Sequence, residues 1–265
     1  MSYKLFSVRN AAMQNDDQWA ERTVEGEIES VNNRTLINIF DRFLTGSNLK
    51  ILEGGCGLGG WVHFLREKGH QVIGLEYEKE VVERVKAYDE SFPIQHGDIT
   101  QLEFDDNTFD AYISLGVVEH FEEGPQKALR EACRTLKPGG LALVSIPYLS
   151  IARRLFTHPL RDLYFAIRKL SGKEKYYWEY RYTKKELSSF LEEAGLEVIY
   201  TAIDDYIPED NKHHIGLYAD FFFLRKKGGG IWELNLPGQI ILKLGKSFSP
   251  WLFCSGLHIV ARKLA

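Results

Sequence analysis

Residues 49–60 read LKILEGGCGLGG, a short apolar run that ends at Glu53 and is followed by five glycines within seven residues. An apolar run that stops at a glycine cluster predicts a buried strand and then a tight turn. Residues 58–68 have helical spacing, and Gly69 stands where a C-cap glycine belongs. The stretch therefore predicts a strand, a glycine loop and a helix, which together begin a βαβ unit.

The same alternation continues on the C-terminal side of this stretch. Strands are predicted at 71–75, 93–96, 109–115 and 141–146, and helices at 79–88 and 125–136, the last with a proline in its first turn. Strands that alternate with helices predict an α/β fold of the Rossmann-like, doubly wound kind, a mostly parallel sheet covered by helices.

The flanking regions have a different pattern. Apolar residues at helical spacing predict helices before residue 48, and the alternation breaks after Pro147. A helix at 183–194 with a Thr183–Glu186 capping box, a strand at 196–202, a helix near 238–248 and a last strand at 256–262 follow. We interpret residues 1–265 as one domain, with N-terminal helices at 1–48, a core at 49–147 and two insertions at 148–182 and 204–252.

Composition limits the class of protein. A net charge of −4 gives no reason to expect nucleic-acid binding, which needs a basic surface. Three scattered cysteines argue against disulfides or a structural zinc site and favour a reducing compartment. Residues 1–10 have no signal-peptide core, and no stretch approaches the roughly 20 apolar residues of a membrane span. We expect a cytoplasmic enzyme or binding protein.

The glycine loop by itself is ambiguous. Gly55, Gly57 and Gly60 fit GxGxxG, and Glu76 lies 23 residues after Glu53, which also fits the dinucleotide fingerprint. The loop is therefore a structural turn, an NAD or FAD site, or a site for a nucleoside cofactor without phosphates. A carboxylate at Glu53 would repel a pyrophosphate. It would instead attract the amino group of S-adenosylmethionine, while Glu76 would accept hydrogen bonds from the ribose hydroxyls.

Two later motifs favour the phosphate-free cofactor. Asp98, in Gly97-Asp98-Ile99, follows the third predicted strand of the core and would accept the adenine amino group while Ile99 packs on the ring; the alternative is an ordinary aspartate turn. The sequence 114–120, SLGVVEH, follows the fourth, and its glycine allows a sharp turn beside the ligand.

These motifs, in this order and spacing, resemble the class I S-adenosylmethionine-dependent methyltransferase family, in its small-molecule branch. The resemblance covers roughly residues 49–146 and the terminal strand, and departs from the family at Gly54-Gly55, where a larger residue usually precedes the first motif glycine. It implies a seven-stranded sheet whose last strand is antiparallel. It also implies that the cofactor is contacted by Glu53, Gly55, Glu76, Asp98, Ile99 and Leu115. We add the neighbouring loop residues Gly57, Gly59 and Tyr77. The predicted S-adenosylmethionine site comprises Glu53, Gly55, Gly57, Gly59, Glu76, Tyr77, Asp98, Ile99 and Leu115.

His120 is the candidate catalytic base, because it follows the fourth predicted strand of the core near the expected methyl group. The alternative is that Glu119 and His120 only stabilise the turn. A metal-ligand role for Glu119 is conceivable, but no second ligand cluster is visible, so no metal is predicted. Weaker candidates are His213 and His214 in the acceptor pocket, Trp19 and Trp61 as aromatic walls, and Tyr3 and Arg9 in an N-terminal flap.

The two insertions are predicted to cap an acceptor pocket, because ligands of such folds bind beyond the carboxyl ends of the strands. Residues 151–186 hold ten basic and four acidic residues, with Leu160, Leu163, Tyr164, Ile167 and Leu170 at helical spacing. We expect this helix to pack its apolar face on the domain; a contact with an anionic membrane or acceptor is the alternative. The second insertion is aromatic-rich, with Tyr206, Tyr218, Phe221, Phe222, Phe223 and Trp232.

The sequence thus predicts methyl transfer to a small-molecule acceptor, with an oxygen acceptor favoured. Two alternatives stay open. One is an S-adenosylmethionine-binding protein without catalysis, and the other is an NAD-linked oxidoreductase, which Glu53 and Asp98 disfavour.

Overall fold

The computed structural model describes residues 2–7, 19, 22–34, 36–169, 176–204, 222–228, 233–252 and 254–264. Its strands are β1 (Tyr3–Ser7), β2 (Lys50–Gly54), β3 (Gln71–Glu76), β4 (Ile94–His96), β5 (Phe109–Leu115), β6 (Leu136–Pro147), β7 (Tyr176–Arg181), β8 (Leu196–Asp204) and β9 (Gly256–Lys263). Its α-helices are α1 (Val24–Ser30), α2 (Leu36–Phe43), α3 (Gly60–Glu67), α4 (Lys79–Tyr88), α5 (Gln126–Thr135), α6 (His158–Lys169), α7 (Lys184–Glu193) and α8 (Leu236–Phe248).

Seven strands form the central sheet in the order β4-β3-β2-β5-β6-β9-β8. The neighbours from β4 to β6 are parallel, and β9 runs antiparallel to both β6 and β8. This arrangement confirms the predicted Rossmann-like sheet with an antiparallel last strand. The chain order reverses between β2 and β5, and an open α/β sheet binds ligands at such a switch point, beyond the carboxyl ends of the strands.

Helices cover both faces of the sheet, as its apolar strands require. One face packs against α5 and α7 through Leu129, Leu187 and Leu191, and the other against α2, α3 and α4 through Phe40, Leu65 and Val85. The central strands are buried on both faces, so they read as continuous apolar runs rather than as alternating ones.

Local signals fixed several boundaries correctly. The Thr183 hydroxyl accepts a hydrogen bond from the backbone N–H of Glu186, and the Glu186 carboxylate accepts one from the Thr183 N–H, which confirms the predicted capping box. Gly69 and Gly195 adopt positive φ values where α3 and α7 end. A residue without Cβ is needed there because the chain enters the left-handed region.

The N-terminal region differs from the prediction of helices alone. Residues 3–7 form β1, which pairs antiparallel with β7 of the first insertion in a separate two-stranded sheet. The apolar stripe between residues 28 and 43 is divided between α1 and α2, and a 3₁₀ turn at Val31–Asn33 separates them. Asparagine has a low helix propensity, and Asn32 lies at this break.

The first insertion also differs from its prediction. A π-helical turn, Arg153–Thr157, leads into α6, and His158 on one side of α6 is buried. The expectation that the apolar face of α6 packs on the domain is wrong. Its large apolar side chains point away from His158 and are 49–62% exposed, namely Leu160, Leu163, Tyr164 and Ile167. Within the described ranges, no helix has the length and hydropathy needed to cross a membrane.

Candidate functional site

A cleft of about 1130 Å³ opens at the carboxyl ends of β2, β3, β4 and β5, next to the switch point of the sheet. Small-molecule sites usually enclose roughly 300–1,000 Å³, so this cleft has room for two reactants. The predicted residues that line it are Glu53, Gly55, Gly57, Glu76, Tyr77, Asp98, Ile99, Leu115 and His120. The fold therefore brings nine of the ten predicted site residues to one place.

The glycine loop forms the floor of the cleft. Gly55 and Gly57 have φ values of 76° and 53°, and Gly55 N–H donates to the carbonyl oxygen of Leu75. A Cβ on Gly55 would collide with Val117. A side chain at Gly55 is thus excluded both by backbone conformation and by space, so this part of the loop presents bare backbone to a ligand.

Gly59 is the predicted site residue that lies outside the cleft. It precedes α3 in the left-handed region, with a φ of 80°, and a Cβ there would collide with the ring of Phe92. The positive φ of the turn and the close packing of Phe92 therefore explain why residue 59 is a glycine.

Glu53 ends β2 inside the cleft and is 2% exposed. Within the described part of the chain its Oε2 atom has no hydrogen-bond partner. Burial raises the pKa of its carboxyl well above the usual range, and the neighbouring Glu27 and Glu76 carboxylates raise it further. A buried carboxylate without a cation is costly, so Glu53 suits a cationic ligand group.

Glu76 ends β3 opposite the loop. Its Oε2 accepts the N–H of Gly57 at 2.8 Å and its Oε1 accepts the N–H of Glu78 at 3.0 Å. These two bonds fix the carboxylate, and each oxygen keeps a second lone pair for a hydroxyl donor. The side chain is thereby held in an orientation that suits hydrogen bonds from a diol.

Asp98 and Ile99 follow β4 on the same side of the cleft. The Oδ1 atom of Asp98 accepts the N–H of Thr100 at 2.7 Å, so the aspartate forms a turn as well as lining the cleft. Ile99 is 5% exposed and supplies an apolar surface. Tyr77 is 69% exposed at the rim.

Aromatic side chains form part of the cleft wall. Trp19 and Trp61, weaker candidates from sequence, line it as expected. Tyr177 and Trp178 of β7 line it too, and sequence reasoning missed them. Residues 176–182 read YYWEYRY, and a run this rich in aromatic residues favours a strand, which is the signal that could have found them.

His120 lies in the 3₁₀ turn after β5, Val118–His120, and its Nδ1 atom is 2.8 Å from the carbonyl oxygen of Trp178. A carbonyl can only accept, so we assign the proton of the neutral ring to Nδ1. Nε2 is then a hydrogen-bond acceptor. The side chain is exposed at the cleft. This tautomer has the form that a general base requires.

Glu119 and Glu179 lie beside His120, and one potential ligand atom from each of the three residues lies within 4.8 Å of the others. Glu119 is 1% exposed, and burial, followed by the charge of Glu179, raises the pKa of its carboxyl well above the usual range. The Nε atom of Arg181 donates to Glu179 at 3.2 Å. Two carboxylates and an imidazole could hold a divalent metal ion.

The remaining candidates are dispersed or undescribed. Tyr3 lies outside the cleft lining: its ring stacks on His158 at 3.7 Å and its hydroxyl donates to Asp162 at 2.6 Å. The other predictions lie outside the described residues: Arg9, His213, His214, Tyr206, Tyr218, Phe221 and Trp232. The backbone of Phe222 is described but not its side chain, and Phe223 is exposed.

Comparison with known proteins agrees with this geometry. The sequence model of a methyltransferase-domain family matches residues 52–144. An S-adenosylmethionine-dependent methyltransferase of Mycolicibacterium smegmatis is 32% identical over 56% of this chain and 52% of its own length. The demethylmenaquinone methyltransferase of Staphylococcus aureus is 31% identical over 55% of this chain and 67% of its own.

The chain belongs to the class I S-adenosylmethionine-dependent methyltransferases. It spans about half the length of the first relative and two thirds of the second. One similar solved structure is the complex of the Haloferax volcanii Trm112 methyltransferase activator with a methyltransferase. A chain of that complex superposes on this chain with a TM-score of 0.63 at 19% identity, over 98% of both chains. An Archaeoglobus fulgidus methyltransferase gives 0.59 at 15% identity, over 96% of this chain and 100% of its own. These two likenesses show the fold.

The cofactor of this family is S-adenosylmethionine, and the cleft of this methyltransferase fits it. The buried Oε2 of Glu53, which no described residue hydrogen-bonds, suits an ammonium group, and the side-chain-free backbone at Gly55 allows close approach. Glu53, Glu76 and Asp98 make this part of the cleft acidic, which suits a sulfonium and an ammonium and opposes a pyrophosphate, while Glu27 is paired with Arg22 at 3.3 Å.

Proposed function

We propose that this methyltransferase transfers a methyl group to a hydroxyl oxygen of a small-molecule acceptor, with His120 as the general base. The observation that carries the proposal is the hydrogen bond from Nδ1 of His120 to the carbonyl oxygen of Trp178. It leaves Nε2 as an acceptor at the cleft, where a hydroxyl proton can be taken up.

We further propose that the cofactor is held by Glu53 at its ammonium, by Glu76 at its ribose, and by Asp98 and Ile99 at its adenine. Gly55, Gly57, Tyr77 and Leu115 supply the surrounding surface. The bound cofactor supplies an activated methyl group on a sulfonium and leaves as a neutral thioether. The protein therefore needs mainly to align the acceptor and exclude water, and such positioning contributes much of the rate of a two-reactant reaction.

His120 then has a defined task in the cleft. Its Nε2 accepts the acceptor's hydroxyl proton as the oxygen–methyl bond forms. The imidazolium that results keeps its Nδ1–H bond to Trp178, so the charged ring stays oriented. Tyr177 and Trp178 offer aromatic surface beside it, which suits an apolar acceptor. The similarity to a demethylmenaquinone methyltransferase supports a small-molecule acceptor.

The first test is thermal unfolding of the full chain with S-adenosylmethionine, S-adenosylhomocysteine or NAD. A ligand of the native state raises the midpoint, by the equivalent of about 2.7 kcal/mol at one hundred times its Kd. We expect stabilisation by the first two, and Glu76→Ala should remove most of it. Stabilisation by NAD alone would overturn the cofactor assignment.

The second test identifies the acceptor atom. The protein is incubated with S-adenosylmethionine and matched pairs of apolar aromatic alcohols and amines, and mass spectrometry detects a gain of one methyl group. We expect methylation of the alcohols. Methylation of the amines alone would overturn the oxygen assignment, and cofactor binding without transfer to any acceptor would favour a non-catalytic binding protein.

A further inference from the structure

The first insertion carries an amphipathic segment whose apolar side faces solvent. In α6 the exposed apolar residues lie opposite the buried His158, and the preceding π-helical turn adds Leu155 and Phe156, which are 59% and 60% exposed. Isolated exposed apolar residues are ordinary, but a continuous exposed row along a helix marks an interaction surface. The residues share one face of the segment: Leu155, Phe156, Leu160, Leu163, Tyr164 and Ile167.

The second insertion repeats the arrangement in α8. Gly238 and Gly245 are buried on one side of this helix. On the other side the apolar side chains are 36–82% exposed, namely Leu236, Ile240, Ile241, Leu244 and Phe248. Each helix thus turns its smaller or polar side to the protein and its large apolar side outward, which reverses the usual orientation of a surface helix.

The first segment begins, and the second segment ends, at the same point of the sheet. The N–H of Tyr148, just after β6, donates to the carbonyl oxygen of Ser255, just before β9. Arg153 at the start of the first segment also donates to Ser255, and the ring of Trp251, beyond α8, lies 5.7 Å from that of Tyr148. The two apolar faces therefore belong to neighbouring parts of the cap.

The charges around these faces are basic. Residues 151–169 contain five basic residues and one acid, and residues 236–252 contain two lysines and no acid. Two of the five are turned to the protein: Arg153 is buried on the carbonyls of Tyr148 and Ser255, and Arg161 donates to the carbonyl of Phe6. The whole chain has a net charge of −4, so the remainder of the protein is acidic. Arg154 and Lys243 are exposed beside the apolar residues. Apolar faces flanked by basic residues are the pattern of helices that lie on an anionic membrane surface.

We propose that α6 and α8 dock this methyltransferase on the surface of an anionic lipid bilayer, with their apolar side chains in the headgroup region. Neither helix crosses the bilayer. Basic flanks beside both apolar faces favour this occupant, because anionic headgroups complement them and the acidic remainder of the protein does not. The acceptor class that follows, a molecule dissolved in the lipid, rests on the proposed methyl transfer; the docking itself does not.

The test is flotation of the full chain with vesicles of phosphatidylglycerol and phosphatidylcholine at 1:3, compared with vesicles of phosphatidylcholine alone. We expect the protein to float with the anionic vesicles and to dissociate at high salt, because screening weakens attraction to the headgroups. Replacing Leu160, Leu163, Leu244 and Phe248 by Gln should weaken binding about tenfold or more, since each loses apolar area that would enter the membrane.

The control is Leu264→Gln, which changes a leucine that is also 58% exposed but lies outside both helices. It should float like the wild type. Failure of the wild type to float, or equal flotation of the fourfold variant, would overturn the proposal. So would sedimentation velocity that shows a dimer of the wild type and a monomer of the variant without vesicle binding.

The same variant separates this proposal from the methyl-transfer proposal. The fourfold variant should retain the thermal shift with S-adenosylhomocysteine, which also shows that it folds. Vesicle binding without methyl transfer would leave the docking intact and remove the acceptor class. Methyl transfer without vesicle binding would leave the methyl-transfer proposal intact and overturn the docking together with the acceptor class that follows from it.

Discussion

The protonation of Glu53 should control cofactor affinity. In the free protein burial and neighbouring carboxylates raise the pKa of Glu53, and a bound ammonium would lower it again. Binding should therefore release a proton. The affinity for S-adenosylhomocysteine should rise with pH until the pH exceeds the raised pKa of the free protein, and fall as the solution becomes acidic.

Calorimetric titration in buffers of different ionisation enthalpy measures this proton release. Glu53→Gln should abolish it and weaken binding roughly 10- to 100-fold, the contribution of about 1.5–3 kcal/mol typical of a hydrogen bond to a charged group. An affinity of the wild type that does not vary with pH would contradict the assignment of Glu53 to the ammonium.

His120 should be required for turnover and not for cofactor binding. His120→Ala should lower kcat roughly 10²- to 10⁴-fold, the usual contribution of a general base, and leave the Kd for S-adenosylhomocysteine unchanged. His63→Ala, on α3, is the matched control and should retain activity. Full activity of His120→Ala would mean that the residue only stabilises the turn.

A chelator distinguishes the base from a metal ligand. As a base, His120 functions without a metal, so activity should persist in EDTA. If EDTA abolishes turnover and Mn²⁺ restores it, His120 instead binds a cation together with Glu119 and Glu179, whose ligand atoms lie within reach.

The acidic residues that line the cleft near the glycine loop were predictable, because each lies at or just after the end of its own strand. Glu53, Glu76 and Asp98 come directly after or at the ends of apolar runs, and the carboxyl ends of parallel strands meet at one edge. Glu179 and Trp178 were not predictable as neighbours of His120. They are about 60 residues away from His120 in the chain. Two contacts hold β7 in place: β1 pairs with β7, and the Tyr177 hydroxyl donates to the carbonyl oxygen of Glu119.

At the scale of the element, α7 depends on its N-terminal cap. Thr183→Ala removes one side of the capping box and should lower the free energy of unfolding by about 1 kcal/mol. Urea denaturation should show a lower midpoint with an unchanged slope. Ser188→Ala, within the same helix, should be neutral or slightly stabilising. An equal loss in both variants would contradict the assignment of the effect to the cap.

The bounds of helices and strands were predicted correctly where a local sequence signal marked them. The bounds 79–88 and 109–115 agree with α4 and β5. The start of β6 was predicted five residues late, at residue 141, so the predicted strand left out Pro138-Gly139-Gly140. In the structure Leu136 already pairs with Phe109, and the register shifts between Phe109 and Ala111. The glycines therefore lie in an irregular part of the strand, as they often do at bulges.

At the scale of the whole molecule, Arg153 joins the two insertions to the sheet. It is 3% exposed and donates to the carbonyl oxygens of Tyr148 and Ser255. Arg153→Leu should leave both carbonyls without this donor and destabilise the cap by a few kcal/mol, about 1.5–3 for each bond to a charged group.

Hydrogen exchange measures this effect by segment. Protection should fall in residues 148–169 and 250–256 and remain unchanged in the core strands β2 and β5, because local openings are separate from global unfolding. Arg154→Leu, exposed next to Arg153, is the control. A uniform loss of protection over the whole chain would show that Arg153 supports the sheet as well as the cap.

The sequence by itself determined the sheet and the cofactor edge of the cleft. Their signals are local: an apolar run, a glycine turn and an acidic residue at the strand end. The tertiary structure alone decided the wall of Tyr177, Trp178 and Glu179 beside His120, and the outward orientation of α6. Periodicity reveals that a helix has an apolar stripe, but which side meets the core depends on contacts between distant segments, such as the stacking of Tyr3 on His158.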